Sequence, residues 1–167
     1  TSRRHHNLIG LHATLGPDGE PLVDGLPWTS PEALERVRTA AGHDALLARY
    51  DGPERFDILP LLVATDGAVA AFGRDVRRLR PNIVIDGVEG TDEFNWPGAE
   101  LHIGEVVISL DSRRGRCPMT TVDPDTLEVD RNVLKDIIAR FDGKLALNAD
   151  VIVAGTIRVG DPVELVR

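Results

Sequence analysis

"ELHIGEVVISLDSRRGRCPMTTVDPDT", residues 100–126, holds the two patterns that decide how this chain reads. In its first half, Leu101 and Ile103, then Val106, Ile108 and Leu110, fall on alternate positions. A period of two belongs to a strand with one buried face, so strands are predicted over 100–103 and 106–111. The second half holds the only cysteine of the chain, Cys117. Arg113, Arg114 and Arg116 crowd its N-terminal side, and Pro118 follows it directly. A third strand is predicted over 117–122. "TVDPDT" then reads as a tight turn in which Asp123 and Asp125 cap local amides.

Working outward, short apolar runs are punctuated by 16 Gly and 11 Pro. Further strands are predicted over 8–15, 45–50, 61–65, 82–86, 146–153, 156–159 and 162–166, with "GPDGEP" at 16–21 as a turn between two strands. Two helices stand out. "TSPEALERVRTA" has Ser30 as cap, Pro31 at the first helical position and Glu32 in the first turn. "DRNVLKDIIARFDG" spaces Val133, Leu134, Ile137, Ile138 and Phe141 for one helical face and stops at Gly143. A short third helix is predicted over 66–72, with Thr65 as its cap. Many strands and few helices predict a mainly β, β-rich α+β fold, a partly closed barrel. No repeat or linker divides the chain, so residues 1–167 are expected to form a single domain. "TSRRHHNLIGLHATL" enters a strand with no preceding turn or cap, so the chain is expected to start inside that domain.

The chain has 167 residues and a net charge of −8. That balance argues against a general nucleic-acid partner, which needs a basic face. No apolar run has the length of a membrane helix, so no membrane partner is expected. One cysteine makes no internal disulfide, which suits a reducing, cytoplasmic setting. Seven of the 19 basic residues nevertheless sit in two short segments, Arg74, Arg77, Arg78 and Arg80, and Arg113, Arg114 and Arg116. They are either two solvated loops or one anion site built from two loops that meet in the fold.

Among the chemical candidates, Cys117 comes first. Alone it reads as a small buried hydrophobe; its arginines favour a thiolate, the form that ligates metals and attacks electrophiles. A zinc centre lacks ligands, and His102 sits on a strand facing solvent. His5 and His6 are adjacent and point to opposite faces. "RRLRPNIVID" is second: Pro81 biases Arg80 toward an extended conformation at the mouth of an apolar strand, with Asn82 beside it. No P-loop or GxGxxG is present.

With those segments quoted, the chain is identified as resembling the MOSC domain family, the molybdenum cofactor sulfurase C-terminal domain, related to the mitochondrial amidoxime-reducing component. "RRLRPNIVID", "RCPMTTVDPDT" and "GTIRVGDPVEL", in this order, carry the resemblance, which runs over most of the chain. The resemblance implies a β-barrel fold and a bound molybdenum cofactor, a metal held on the dithiolene of a phosphorylated pyranopterin. It implies that Cys117 is the catalytic residue and molybdenum ligand, or else a carrier of persulfide sulfur. It places Arg80 and Asn82 on the cofactor, with Asp57, Thr65, Gly115 and Arg116 as further cofactor-binding positions. Fixed guanidinium groups suit a phosphate and an oxo-metal centre, and a soft thiolate suits the metal.

There are departures. Ile58 and Leu59 replace the hydroxyl residues that follow the family's Asp, Thr65 stands where the reductases have Ser, and Gly115 replaces another Ser. Glu93 and Trp96 match an "ED-x-W" stretch whose Asp is Phe94 here. The family's upstream β-rich segment, with its phosphate-holding basic residues, is expected to be lacking. The reading is a component of an oxidoreductase that reduces N-hydroxylated or N-oxide small molecules, fed by an electron-donor protein. The alternatives are a sulfur carrier loaded by a cysteine desulfurase, and a degenerate β-barrel binding module.

Overall fold

The computed structural model describes residues 2–53 and 56–167. The chain divides into two compact units, one from residues 1–53 and 121–130, the other from 54–120 and 131–167.

The first unit holds a three-stranded antiparallel sheet, β1 (Ala13–Leu15), β2 (Pro21–Val23) and β3 (Leu26–Pro27), followed by α1 (Pro31–Ala41). The turn at 16–21 joins β1 to β2 as expected, with Gly19 at φ +80°. The Ser30 side chain accepts from the Ala33 amide at 3.1 Å, the cap that starts α1. The strand expected over 8–15 is only half realised. His6–Gly10 winds as a 3-10 helix through the Leu8 amide to the His5 carbonyl (3.1 Å), leaving Ala13–Leu15 to pair. The strand expected over 45–50 is absent: the segment finds no ladder partner, and Leu46 and Tyr50 face solvent. Alternation shows one wettable face but does not supply a neighbouring strand. Asp123 accepts from the Asp125 and Thr126 amides at 3.0 and 2.9 Å, as its turn predicted.

The second unit carries β4 (Leu61–Thr65), α2 (Asp66–Phe72), β5 (Ile83–Ile85), β6 (Glu100–Ile103), β7 (Val106–Gly115), α3 (Asn132–Phe141), β8 (Lys144–Val153) and β9 (Glu164–Val166). Its six strands run in the order β5-β4-β8-β7-β6-β9, and β4–β5 is the parallel pair. β7 and β8 are long, and their pairing shifts register at three places. Each bulge bends the strand and adds twist, which curls the sheet into a half-barrel. Its concave side buries Val63, Leu101, Ile108, Leu110, Leu147 and Ala149. A second cluster joins α2 and α3 through Ala68, Phe72, Val133, Ile137 and Phe141. Each fully buried aliphatic side chain contributes about 1.5–3 kcal/mol. Two predicted strands are corrected here. Residues 118–121 form a 3-10 helix, because Pro118 offers no amide and the Thr120 amide and hydroxyl both bind the Cys117 carbonyl, at 3.1 and 3.0 Å. Residues 156–159 lead into a turn closed by the Asp161 amide on the Arg158 carbonyl (3.1 Å).

β4 passes directly into α2. Thr65, fully buried, caps the helix by accepting from the Ala68 amide at 3.2 Å. Asp66 accepts from the Gly67, Gly87 and Val88 amides at 2.8, 2.9 and 2.9 Å. The Val88 and Gly87 amides hold its carboxyl down at about 2, below the usual 3.8. A depressed folded-state value means stability that is present above the unfolded value and lost as pH falls toward the folded one. Asp66→Asn is therefore expected to lower the urea midpoint at pH 6, with the gap to wild type closing between about pH 4 and 2. A gap independent of pH would refute the clamp.

Candidate functional site

β7 leaves the sheet where Gly115 pairs with Lys144, and the Arg116 amide then binds the Gly143 carbonyl at 2.8 Å. Cys117 follows on the braced turn described above and is half-buried. The residue is held at its backbone by the Thr120 bonds to its carbonyl.

Two arginines close on it from both segments. Arg80 does not extend as its proline neighbour predicted; it stands at φ +57°, in the left-handed region. The reason is tertiary. Leu79 on one side is 1% exposed, packed with α2 and α3, while the Asn82 amide on the other is tied to the Leu62 carbonyl at 2.8 Å. The chain must turn sharply between those anchors. The turned Arg80 donates to the Met119 carbonyl at 3.3 and 3.4 Å. Arg116 reaches back, its Nη2 on the Leu79 carbonyl at 2.6 Å. Burial pulls the Arg116 guanidinium down to about 10; the positive charges of Arg114 and Arg80 pull the same way, and the Cys117 sulfur opposes them. Burial also lowers Arg80, again opposed by Cys117. The Nε of Arg116 is buried without a hydrogen-bond partner. A buried orphan donor beside a thiol is a site shaped for an acceptor that the protein does not itself provide.

Arg114 is held differently. Its Nη2 meets Asp57 Oδ2 at 2.5 Å, and its Nη1 meets Asn148 Oδ1 at 3.0 Å. Asp57 is thus joined to the cluster through Arg114. Asn82 is joined through the sheet: its Oδ1 accepts from the Leu62 amide at 2.8 Å. Gly115 is exposed, and a Cβ there would meet open space. Thr65 is fully buried. Beyond its cap it bonds Glu93, whose carboxyl is raised by burial against the pull of Thr65, the Ala146 amide and Arg113. Thr65 and Glu93 therefore brace the fold.

The remaining arginines have other work. Arg113 lies 3.7 Å over the Phe94 ring and donates to the Phe141 carbonyl at 2.8 Å, so the aromatic at 94 replaces an acid with a stacking partner. Arg74 pairs with Asp136 and Arg77 with Asp75, both at 2.6 Å. The two basic segments meet: Arg80 and Arg116 face the cysteine, and Arg78 Nη1 donates to the Thr120 carbonyl at 3.5 Å. His102 pairs with Glu100 at 3.0 Å, half-exposed on β6. Asn148 escaped the sequence reading; its one signal is a polar residue inside the apolar run "LALNADVIV".

The curled β half-barrel thus presents a half-buried cysteine on a braced turn beside two guanidinium groups, those of the exposed Arg80 and the partly buried Arg116. The chain belongs to the MOSC domain family, whose sequence profile matches residues 66–164. It is 31% identical over 126 residues to the human protein named mitochondrial amidoxime reducing component 2, covering 64% of this chain and 37% of that one. It is 31% identical over 149 residues to mouse mitochondrial amidoxime-reducing component 1, covering 78% of this chain and 43% of that one. A Culex quinquefasciatus protein named molybdenum cofactor sulfurase 2 is 33% identical over 70 residues, 42% of this chain and 9% of its own. The chain thus spans less than half the length of these curated relatives. No helix among the described residues is long and apolar enough to cross a membrane.

Proposed function

We propose that the chain binds molybdenum cofactor, with Cys117 as the metal's protein ligand, and forms the substrate-reducing part of an oxidoreductase acting on N-hydroxylated or N-oxide small molecules. The observation that carries this is the orphaned Arg116 Nε, buried beside Cys117 and Arg80. The donor set fits the group: a soft thiolate for the metal, and guanidinium donors for an oxo centre and a phosphate. The fit is poorer at the pterin edge, where Ile58 and Leu59 bring no hydroxyl and the Asn82 Oδ1 is already engaged by the Leu62 amide. Cys117, Arg80 and Arg116 would hold the group, and Asp57 would act through Arg114. When bound, the centre supplies two-electron oxygen-atom chemistry. The protein's part is to fix the thiolate, to orient the anion by directional N–H donors, and to keep positive charge facing it. In the net reaction the substrate N–O bond breaks and its oxygen leaves as water, with two protons and two electrons. The electrons come from a partner electron-donor protein. A lone thiol of this kind suits a reducing compartment such as the cytoplasm.

A second reading rests on the half-exposure of Cys117. Here a cysteine desulfurase passes sulfur from free cysteine to Cys117, leaving alanine, and the persulfide delivers it to a cofactor.

Metal analysis separates the readings. The protein is produced in a host that makes molybdenum cofactor, and molybdenum per protein is measured by mass spectrometry. Wild type is expected to carry molybdenum and Cys117→Ser to lose nearly all of it. Equal metal in both would overturn the ligand assignment. Metal in neither, with one added sulfur on Cys117 after incubation with desulfurase and cysteine, would favour the carrier. A failure of both would leave a degenerate binding module.

A further inference from the structure

The arginines of the cluster are anchored in two ways. Arg80 and Arg116 rest on backbone carbonyls, those of Met119 and Leu79. The fold alone fixes them. Arg114 rests on two side chains, Asp57 and Asn148. It also lies close enough to Arg116 for their charges to repel. Without a restraint, Arg114 would swing away from its neighbour and toward solvent.

Asn148 is built to restrain it. The residue is 4% exposed, on β8 between Leu62 of β4 and Ser112 of β7. Its Nδ2 donates to Ser112 Oγ at 3.1 Å, and Ser112 Oγ donates to Asp111 Oδ2 at 2.7 Å. Because the Ser112 proton is spent on Asp111, its oxygen can only accept from the Asn148 side. That fixes which end of the Asn148 amide faces Ser112 and leaves Oδ1 aimed at Arg114. The register shifts on either side, between Leu110 and Ser112 and between Arg113 and Gly115, turn β7 so that Ser112 and Arg114 both reach Asn148.

We propose that Asn148 is a positioning residue of the anion site: a neutral acceptor that locks Arg114 beside Arg116 and adds no negative charge beyond that of Asp57. A carboxylate at 148 would hold the guanidinium equally well, yet it would neutralise Arg114. Asp57 would then stand in the cluster as an uncompensated negative charge. An amide holds the cation without adding a second negative charge to the one that Asp57 already sets against Arg114, so the cluster keeps its net positive charge for the ligand. The role rests on the anion-binding reading of Cys117 and its arginines.

The test titrates the full chain with inorganic molybdate and with inorganic phosphate by calorimetry, beside a thermal melt of each variant. Asn148→Asp, nearly isosteric, is expected to melt close to wild type and to bind the oxyanions about tenfold more weakly, the effect of one added negative charge at short range. Arg114→Gln is expected to weaken binding by a similar factor. Unchanged affinity in Asn148→Asp, with affinity lost in Arg114→Gln, would overturn the positioning role while sparing the anion site. If Asn148→Asp melts early, Ser112→Ala reads the same link by freeing the amide to flip. It is expected to weaken binding about threefold, roughly the worth of a modest hydrogen bond, and wild-type affinity there would overturn the role. No binding by wild type to either probe would sink the anion site itself and this role with it.

Discussion

Arg80→Gly is expected to be more stable than Arg80→Ala by about 1 kcal/mol, while both are expected to lose the molybdenum binding proposed for the wild type. The two halves of this result have separate causes. At φ +57° a side chain crowds its own backbone, and glycine does not. Alanine keeps that strain and glycine releases it, so their difference reads the strain directly. Neither has the guanidinium that faces Cys117 and binds the Met119 carbonyl. A residue kept in a strained conformation where glycine would relax it points to a side chain needed for function. Urea midpoints of the two variants read the first half, and metal per protein reads the second. Equal stabilities would mean that no strain is stored. Wild-type metal content in Arg80→Ala would remove Arg80 from the site.

The largest expected loss of stability is at Gly67. Its φ is not in the left-handed region, so the reason is space. A Cβ there would run into the Val88 carbonyl oxygen and lie 2.6 and 2.7 Å from the Gly90 oxygen and nitrogen. All three are backbone atoms, and their turn is itself pinned by Asp66 on the Gly87 and Val88 amides. Nothing nearby is a flexible side chain that can step aside. Gly67→Ala is therefore expected to cost about 3 kcal/mol or more, read as a large fall in melting temperature. Gly115→Ala is the control: open space surrounds its Cβ, so its melt should match wild type. Similar melts for the two would show that the 87–90 turn gives way.

The sequence-level reading was strongest where local rules are strict. α1 and α2 start at the caps assigned to Ser30 and Thr65, β4 has the bounds of its apolar run, and β6 has the bounds that alternation predicted. It failed where a strand needs a partner. Residues 45–50 and 156–159 are short apolar-rich runs like the strands, but they join no ladder. At 118–121 the hydrogen-bonding of Thr120 to Cys117 outweighed β propensity. The cysteine and the arginines near it were legible as a chemical pattern. Which arginines serve was not legible, because Arg113 stacks on Phe94 and Arg74 pairs with Asp136, contacts that link residues far apart in the chain. Asn148 was hidden for the same reason, since its partners lie on another strand.

By itself, then, the sequence determined the mainly β class, the three helices with the N-caps of α1 and α2, and the concentration of thiol and guanidinium chemistry, all of which follow from short-range periodicity and residue type. Only the tertiary structure decided that Arg80 turns left-handed to meet Arg116 across Cys117, and that Asn148 aims Arg114. Those outcomes depend on where anchors such as Leu79, Leu62 and Ser112 are fixed by packing and sheet register, and no local preference encodes that.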